Sequence, residues 1–357
     1  MDISKYFAEK DLLNAYSLLD QVIRNETFNF KSKVSDVQVF SNTFEVERAT
    51  IVDVASPYME IDGATPEYSN ADAKTFVGSF DAIGNHKMLG LKRFMELKRH
   101  NSVSQAIIEM YNLAKGVTLS NLWRQEDIFL QSLSKTKISL KALTNNARGI
   151  DKVLDFQVPA AQKVGVATSW SVSHFATPFK NIRDFVKALK KKGINPTKIL
   201  MTGTVIDRLL VCQEIIDLNL VDRSTIDGEY VSLEKFNKFL QVQRLPIIEE
   251  ITDNVIHINK SNVIDPSIES YKEENIVFTT SDNYGQRLWL DPVGEREAAR
   301  LNGGVFSMAD RMALLNTVEG TDPVNFKVMG KFYGTIVLNS IYGFGFMSTE
   351  HTTFQSV

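Results

Sequence analysis

Apolar positions along this chain recur at two spacings, and the clearest helical one lies between Pro178 and Ile216. Ile182, Phe185, Val186 and Leu189 fall on one face of a helix, with Lys180, Asp184, Lys187 and Lys191 on the other. Lys190 to Lys192 sit where a helix C-terminus favours cations. Gly193 supplies a left-handed stop, and Asn195-Pro196 forbids continuation. Lys198 to Met201 predicts a short strand. A second helix, capped by Thr202 or Thr204, would bury Val205, Leu209, Cys212 and Ile216.

Before this unit the pattern changes several times. Leu12, Leu19, Val22 and Ile23 predict one helix over Leu12 to Ile23. From Val37 to Phe80 the spacing is that of strands, with Phe44 and Val46 alternating with polar residues. Asp62-Gly63 is a turn dipeptide, and Lys74 to Phe80 reads as a returning strand. The stretch therefore predicts a long two-stranded excursion, bent near Gly63 to Pro66. A lone hairpin is marginal in water and has open edges, so a cover is expected, on its own domain or on a neighbour. His86 to His100 reads as a basic connector with a solvated face. Two helices follow, Ser104 to Ala114 and Thr118 to Leu133, separated by Gly116. Arg124-x-Glu126 lies on the second.

After it, Asp227-Gly228 suggests a hairpin closing on Tyr230-Val231, and Leu233, Phe236, Phe239 and Leu240 predict a short helix. Three short strands are expected at Pro246 to Ile248, Val255 to Ile258 and Ile276 to Phe278. Leu288 to Asp291 ends at Pro292, and Phe326 to Phe346 is strongly β-prone.

Composition changes this picture little. The 357 residues are 43% hydrophobic and 23% charged, with a net charge of −3, which gives no reason to expect a sequence-reading nucleic-acid binder. The single cysteine, Cys212, excludes a disulfide within the chain and points to a reducing compartment. The start, Met1 to Lys5, lacks the order of a signal peptide, and no run approaches a membrane span.

Candidate chemistry is sparse. No phosphate-binding glycine loop or nucleophile elbow occurs, and no two of His86, His100, His174, His257 and His351 have metal-ligand spacing on a helix. Ser132-x-x-Lys135 lacks the companion elements of its active site. Glu249, Glu250 and Asp253 read as an exposed acidic strand end rather than an acid–base pair. No catalytic, cofactor or metal residue is expected.

Several of these segments, in this order, resemble one family. Asp155-Phe156, Trp170, Gly193-Ile194-Asn195-Pro196, Lys198 to Met201, Val205 to Leu210, Asn275 to Phe278, Gly285 and Trp289 resemble the major capsid proteins of tailed phages, the lambda-like protein E group. Gly63-x-x-Pro66 is similar to that family's extended loop. The resemblance implies an α+β fold of the Hong Kong 97 type. It implies an N-terminal arm (1–43), an extended β-hairpin loop (44–85) and a peripheral domain with a long spine helix (86–179). An axial domain (180–315) and C-terminal strands returning to the peripheral domain (316–357) complete it. The implied role is a virion shell that self-assembles from pentamers and hexamers around double-stranded DNA in the host bacterial cytoplasm. Implied partners are copies of itself, a scaffolding protein, a portal and a decoration protein, with no sequence-specific DNA contact and no membrane. Tyr58, Met59, Gly63, Pro66, Tyr68, Arg124 and Glu126 are the expected subunit-interface residues. The same fold in an encapsulin-like nanocompartment, and a cytosolic α/β enzyme, are the alternative readings.

Overall fold

The computed structural model describes residues 9–48, 74–79, 82–99, 103–139, 153–156, 158–218, 231–257, 263–265, 268–302, 304–319, 325–338 and 343–355. The chain divides into two compact units. One comprises Met1–Phe44, Ser79–Glu126 and Gln286–Ile336, and the other Glu45–Gly78, Asp127–Gly285 and Val337–Val357.

In place of one N-terminal helix there are two, α1 (Glu9–Ser17) and α2 (Leu19–Asn25). The backbone tightens at Leu18, whose N–H bonds Ala15 at 3.2 Å. The break is local, because the buried stripe Leu12, Tyr16, Leu19 and Ile23 keeps helical spacing across it. Next come α3 (Asn29–Lys33), β1 (Val34–Val39) and β2 (Thr43–Arg48), which pairs with β3 (Lys74–Ser79). This pair forms the root of the expected excursion; residues 49–73 lie outside the described ones. The basic connector is more ordered than its composition suggests. It divides between β4 (Ala82–Leu89), paired along β14 (Asn325–Leu338), and α4 (Leu91–Arg99), where Lys92, Arg93 and Arg99 are exposed.

The two helices expected around Gly116 are one, α5 (Val103–Lys135), 33 residues long. A helical glycine costs about 1 kcal/mol relative to alanine. Burial of Met110, Ala114, Val117 and Leu122 on either side of Gly116 outweighs that local preference. From Gln125 to Ser134 every residue of α5 is buried, so this part has no solvated face.

The second unit contains β5 (Lys137–Ser139), β6 (Val153–Asp155), β7 (Lys163–Val164), α6 (Pro178–Lys190), β8 (Lys198–Met201), α7 (Gly203–Leu210), α8 (Gln213–Asp217), α9 (Leu233–Val242), β9 (Ile247–Glu250) and β10 (Asn275–Thr279). Helix α6 buries the predicted stripe, and Phe185 meets Phe278 edge-on at 5.0 Å. Gly193 ends the turn at φ 80°, while the Ile194 N–H reaches the Leu189 carbonyl at 3.1 Å. The helix expected after β8 is split. Cys212 is extended (φ −68°, ψ 137°), and Thr202 holds the N-cap position of α7 without a side-chain bond. The break shifts the helical phase by one residue, so Ile215 is fully buried and Ile216 only half.

The strand expected at Val255 is absent over 255–257, and Ile258 lies outside the described residues, as does Asp227-Gly228. The Asp253 carboxylate takes the backbone N–H groups of Val255, Ser270 and Tyr271 at 3.1, 2.9 and 2.8 Å. That side-chain pairing replaces a ladder.

The chain continues with β11 (Gly285–Leu290), α10 (Val293–Asn302), β12 (Val305–Ala309), β13 (Met312–Glu319), β14 and β15 (Phe344–Ser348). Strands β1-β11-β14-β13-β12 form one sheet in that order, with β4 also on β14. The other large sheet runs β7-β15-β10-β8-β9. Thus β12 and β13 share a sheet with β14, while β15 pairs with β10, antiparallel from Asn275↔Ser348 to Thr279↔Phe344.

Candidate assembly surface

In the first unit two polar side chains of α5, Gln125 and Glu126, are committed to the chain itself. Glu126 is 1% exposed. Its Oε1 accepts the Asn29 N–H at 3.1 Å and the Asn29 Nδ2 at 2.6 Å, and its Oε2 accepts the Phe30 N–H at 3.1 Å. Arg287, on β11, is 2% exposed. Its Nε donates to Gln125 Oε1 at 2.7 Å, its Nη2 donates to the Asp310 carbonyl at 2.8 Å, and its Nη1 lies 3.5 Å from Asp36. The guanidinium stands over Phe30 and Phe332, 5.4 and 4.9 Å from the ring centres. Phe28 meets Trp123 at 4.7 Å, and Lys31 reaches Asp310 at 3.4 Å. Residues 28–36 are therefore docked by charge and by aromatic contact together.

The second unit holds a Ser/His/Asp cluster that sequence spacing did not reveal. Ser270 Oγ donates to Asp127 Oδ1 at 2.8 Å and lies 2.8 Å from His257 Nε2. Because the hydroxyl hydrogen goes to Asp127, the histidine Nε2 is the donor to Ser270. A serine nucleophile needs the opposite, a basic nitrogen accepting its proton. Ser270 and Asp127 are fully buried, and Gln131 adds a 2.7 Å bond to the same carboxylate oxygen. The cluster satisfies a buried carboxylate. Burial pushes the Cys212 thiol up to about 11, which makes it a poor nucleophile at neutral pH. Among the described residues no group of three or more His, Cys, Asp or Glu could hold a metal ion, and no helix is long and apolar enough to cross a membrane.

Tyr58, Met59, Gly63, Pro66 and Tyr68 lie outside the described residues. Arg124 is half-buried on α5 beside the buried Glu126. Sequence reading missed the exposed apolar corner of the second unit. Phe175 is 77% exposed, with Val172 and Val211 also open, on loops joined by the Gln213 N–H to Ser173 carbonyl bond. The exposed lysines 180, 187, 190, 191 and 192 follow on α6 and the turn after it.

No family model and no curated protein matches the chain. Solved structures do. A protein assigned as the capsid protein of an Escherichia coli CFT073 prophage aligns with TM-score 0.55 at 11% identity, over 94% of this chain and 98% of that one. A phage-related protein from Bordetella bronchiseptica RB50 aligns with TM-score 0.52 at 10% identity, over 93% and 96%. The chain has the Hong Kong 97-type shell fold. The likeness extends over nearly the whole of this chain. At these identities the likeness is one of fold and not of side chains.

Proposed function

We propose that this protein is a structural major capsid protein, whose copies associate into pentamers and hexamers of an icosahedral phage shell around double-stranded DNA. The supporting observation is the fold itself, matched over 94% of this chain with a protein assigned as a prophage capsid protein. The role is geometry and not turnover. Unlike patches on one subunit meet those on the next, and such heterologous contacts close into rings. Modest contacts become strong because each copy engages several neighbours at once.

Within this reading, residues 1–43 form the arm, 44–85 the extended loop, 86–179 and 316–357 the peripheral domain, and 180–315 the axial domain. Tyr58, Met59 and Tyr68 on the loop, bent at Gly63 and Pro66, contact the neighbouring copy, with Arg124 on the spine helix. Scaffolding, portal and decoration proteins act on the shell during assembly in the host bacterial cytoplasm, and the packaged DNA is enclosed without base-specific contact.

Electron microscopy of the full chain expressed in bacteria tests this. Closed particles of uniform size are expected, and deletion of residues 60–70 should leave soluble protein that forms none. A discrete small oligomer from the full chain rejects the proposal. Particles that hold a protein cargo and no nucleic acid would move it to a nanocompartment.

A further inference from the structure

A protein that associates edge to face in rings carries a hazard. Any open sheet edge offers a competing, open-ended mode of association. Among the described residues, the five-stranded sheet of the second unit ends at β9 on one side and β7 on the other. Strand β7 has only two residues and offers little to pair with. Strand β9 is longer and lies parallel to β8, from Lys198↔Ile247 to Met201↔Glu250. The Ile247 and Ile251 N–H groups point inward, to the carbonyls of Thr197 and Met201 at 3.2 and 2.8 Å. Backbone alternation then turns residues 246, 248 and 250 outward.

Each outward position is disarmed by a different means. At position 246 stands Pro246, which has no N–H to offer. At 248, the Asn237 carboxamide takes both backbone groups. The Ile248 N–H donates to Asn237 Oδ1 at 2.8 Å, and Asn237 Nδ2 donates to the Ile248 carbonyl at 2.9 Å. This is the pair of bonds that a further strand would make. At 250 stands Glu250, exposed and charged. Helix α9 is held in place for this by the burial of Phe236 and Leu240, which flank Asn237.

We propose that Asn237 is a residue that sets assembly specificity: its carboxamide substitutes for a strand at the open edge of β9 and diverts subunit association away from sheet-edge pairing. The inference rests on the shell reading for its purpose and on the Asn237–Ile248 bonds for its mechanism. The partner it excludes is a second copy's extended segment.

The test uses the full chain with Asn237→Ala and Asn237→Asp, the latter keeping an acceptor for the Ile248 N–H and losing the donor. Hydrogen exchange of the Ile248 amide is followed in dissociated subunits, with far-UV circular dichroism and the urea midpoint as controls for folding. Exchange should quicken about five- to tenfold in Asn237→Ala, the loss of one hydrogen bond of about 1 kcal/mol, and less in Asn237→Asp. Asn237→Ala should also form elongated, thioflavin-positive assemblies whose yield rises with concentration. Unchanged exchange at Ile248 overturns the mechanism, and faster exchange without new assemblies overturns the specificity role. Should the parent chain form no shells at all, the shell reading falls, while the exchange and aggregation arms still decide the edge.

Discussion

Arg287 is the residue on which most of the first unit converges. It brings a permanent charge into a wall formed by Phe30 and Phe332 and is matched there by Gln125, Asp310 and Asp36. Hydrogen bonds to a charged group contribute about 1.5–3 kcal/mol, and the carboxylates that loss of Arg287 would leave behind, Asp310 and Asp36, are partly solvated. Arg287→Ala should lower stability by about that amount, read as the urea midpoint of dissociated subunits. A loss below about 1 kcal/mol would mean that the guanidinium contributes little to holding residues 28–36 in place. Sequence reading did not find this residue, since a lone arginine in a β-prone stretch carries no spacing signal. Gly193, by contrast, was legible, because a left-handed stop after a basic turn is local chemistry.

Titration belongs to the same scale. Burial pushes the Cys212 thiol up to about 11 and the Tyr16 and Tyr284 phenols to about 12. In the unfolded chain these groups ionise near about 8.5 and about 10. All three are acids raised on folding, so the native state favours their neutral forms. Their contribution is complete below the unfolded values and is lost as pH rises towards the folded ones. The urea midpoint should therefore fall steadily between pH about 8.5 and about 12, and in Cys212→Ala the decline should begin nearer pH 10. A flat profile would show that these groups are solvated in the native protein.

At the scale of elements, glycines separate what propensity can predict from what contact decides. In α5, a Cβ on Gly116 would meet only the flexible end of Lys87. In β14, a Cβ on Gly334 would collide with the Leu288 carbonyl oxygen of the paired strand, which cannot swing away. Gly116→Ala should stabilise the protein by about 0.5–1 kcal/mol through helix propensity, and Gly334→Ala should destabilise it by about 2 kcal/mol or more through backbone displacement. Thermal melting of both variants checks the pair, and equal effects would contradict it. The same contrast explains which elements were legible. The α6 stripe and strands β8 and β10 follow from periodicity. The continuity of α5 through Gly116 does not, because burial on both flanks overrides a local breaker. Nor does the missing strand at Val255, where Asp253 takes the backbone N–H groups of Val255 and of the distant Ser270 and Tyr271.

At the scale of the whole molecule, the α+β class and the shell fold were legible because the order of segments survives where individual residues do not. The candidate interface was less so. The strand-turn-strand pattern around Gly63 lies outside the described residues, whereas the exposed corner at Phe175 had no pattern at all. An exposed aromatic in a turn looks the same in sequence as a buried one. Glu126 shows the reverse case: a charged residue that reads as surface and is buried, because its partners at Asn29 and Phe30 are nearly a hundred positions away.

The docking of the N-terminal residues has a further consequence, in time. Tyr16 is bonded by Asn316, three hundred positions later, and β1 lies against β11. A ribosome adding about 5–20 residues per second needs about 15–60 s to cover that distance. For most of that interval Leu12, Tyr16, Leu19 and Ile23 are outside the ribosome, but the strands that complete their shelter do not yet exist. A stalled or prematurely terminated polypeptide would keep this greasy leader uncovered for good, which makes full-length synthesis a condition for the newborn chain to stay out of clumps.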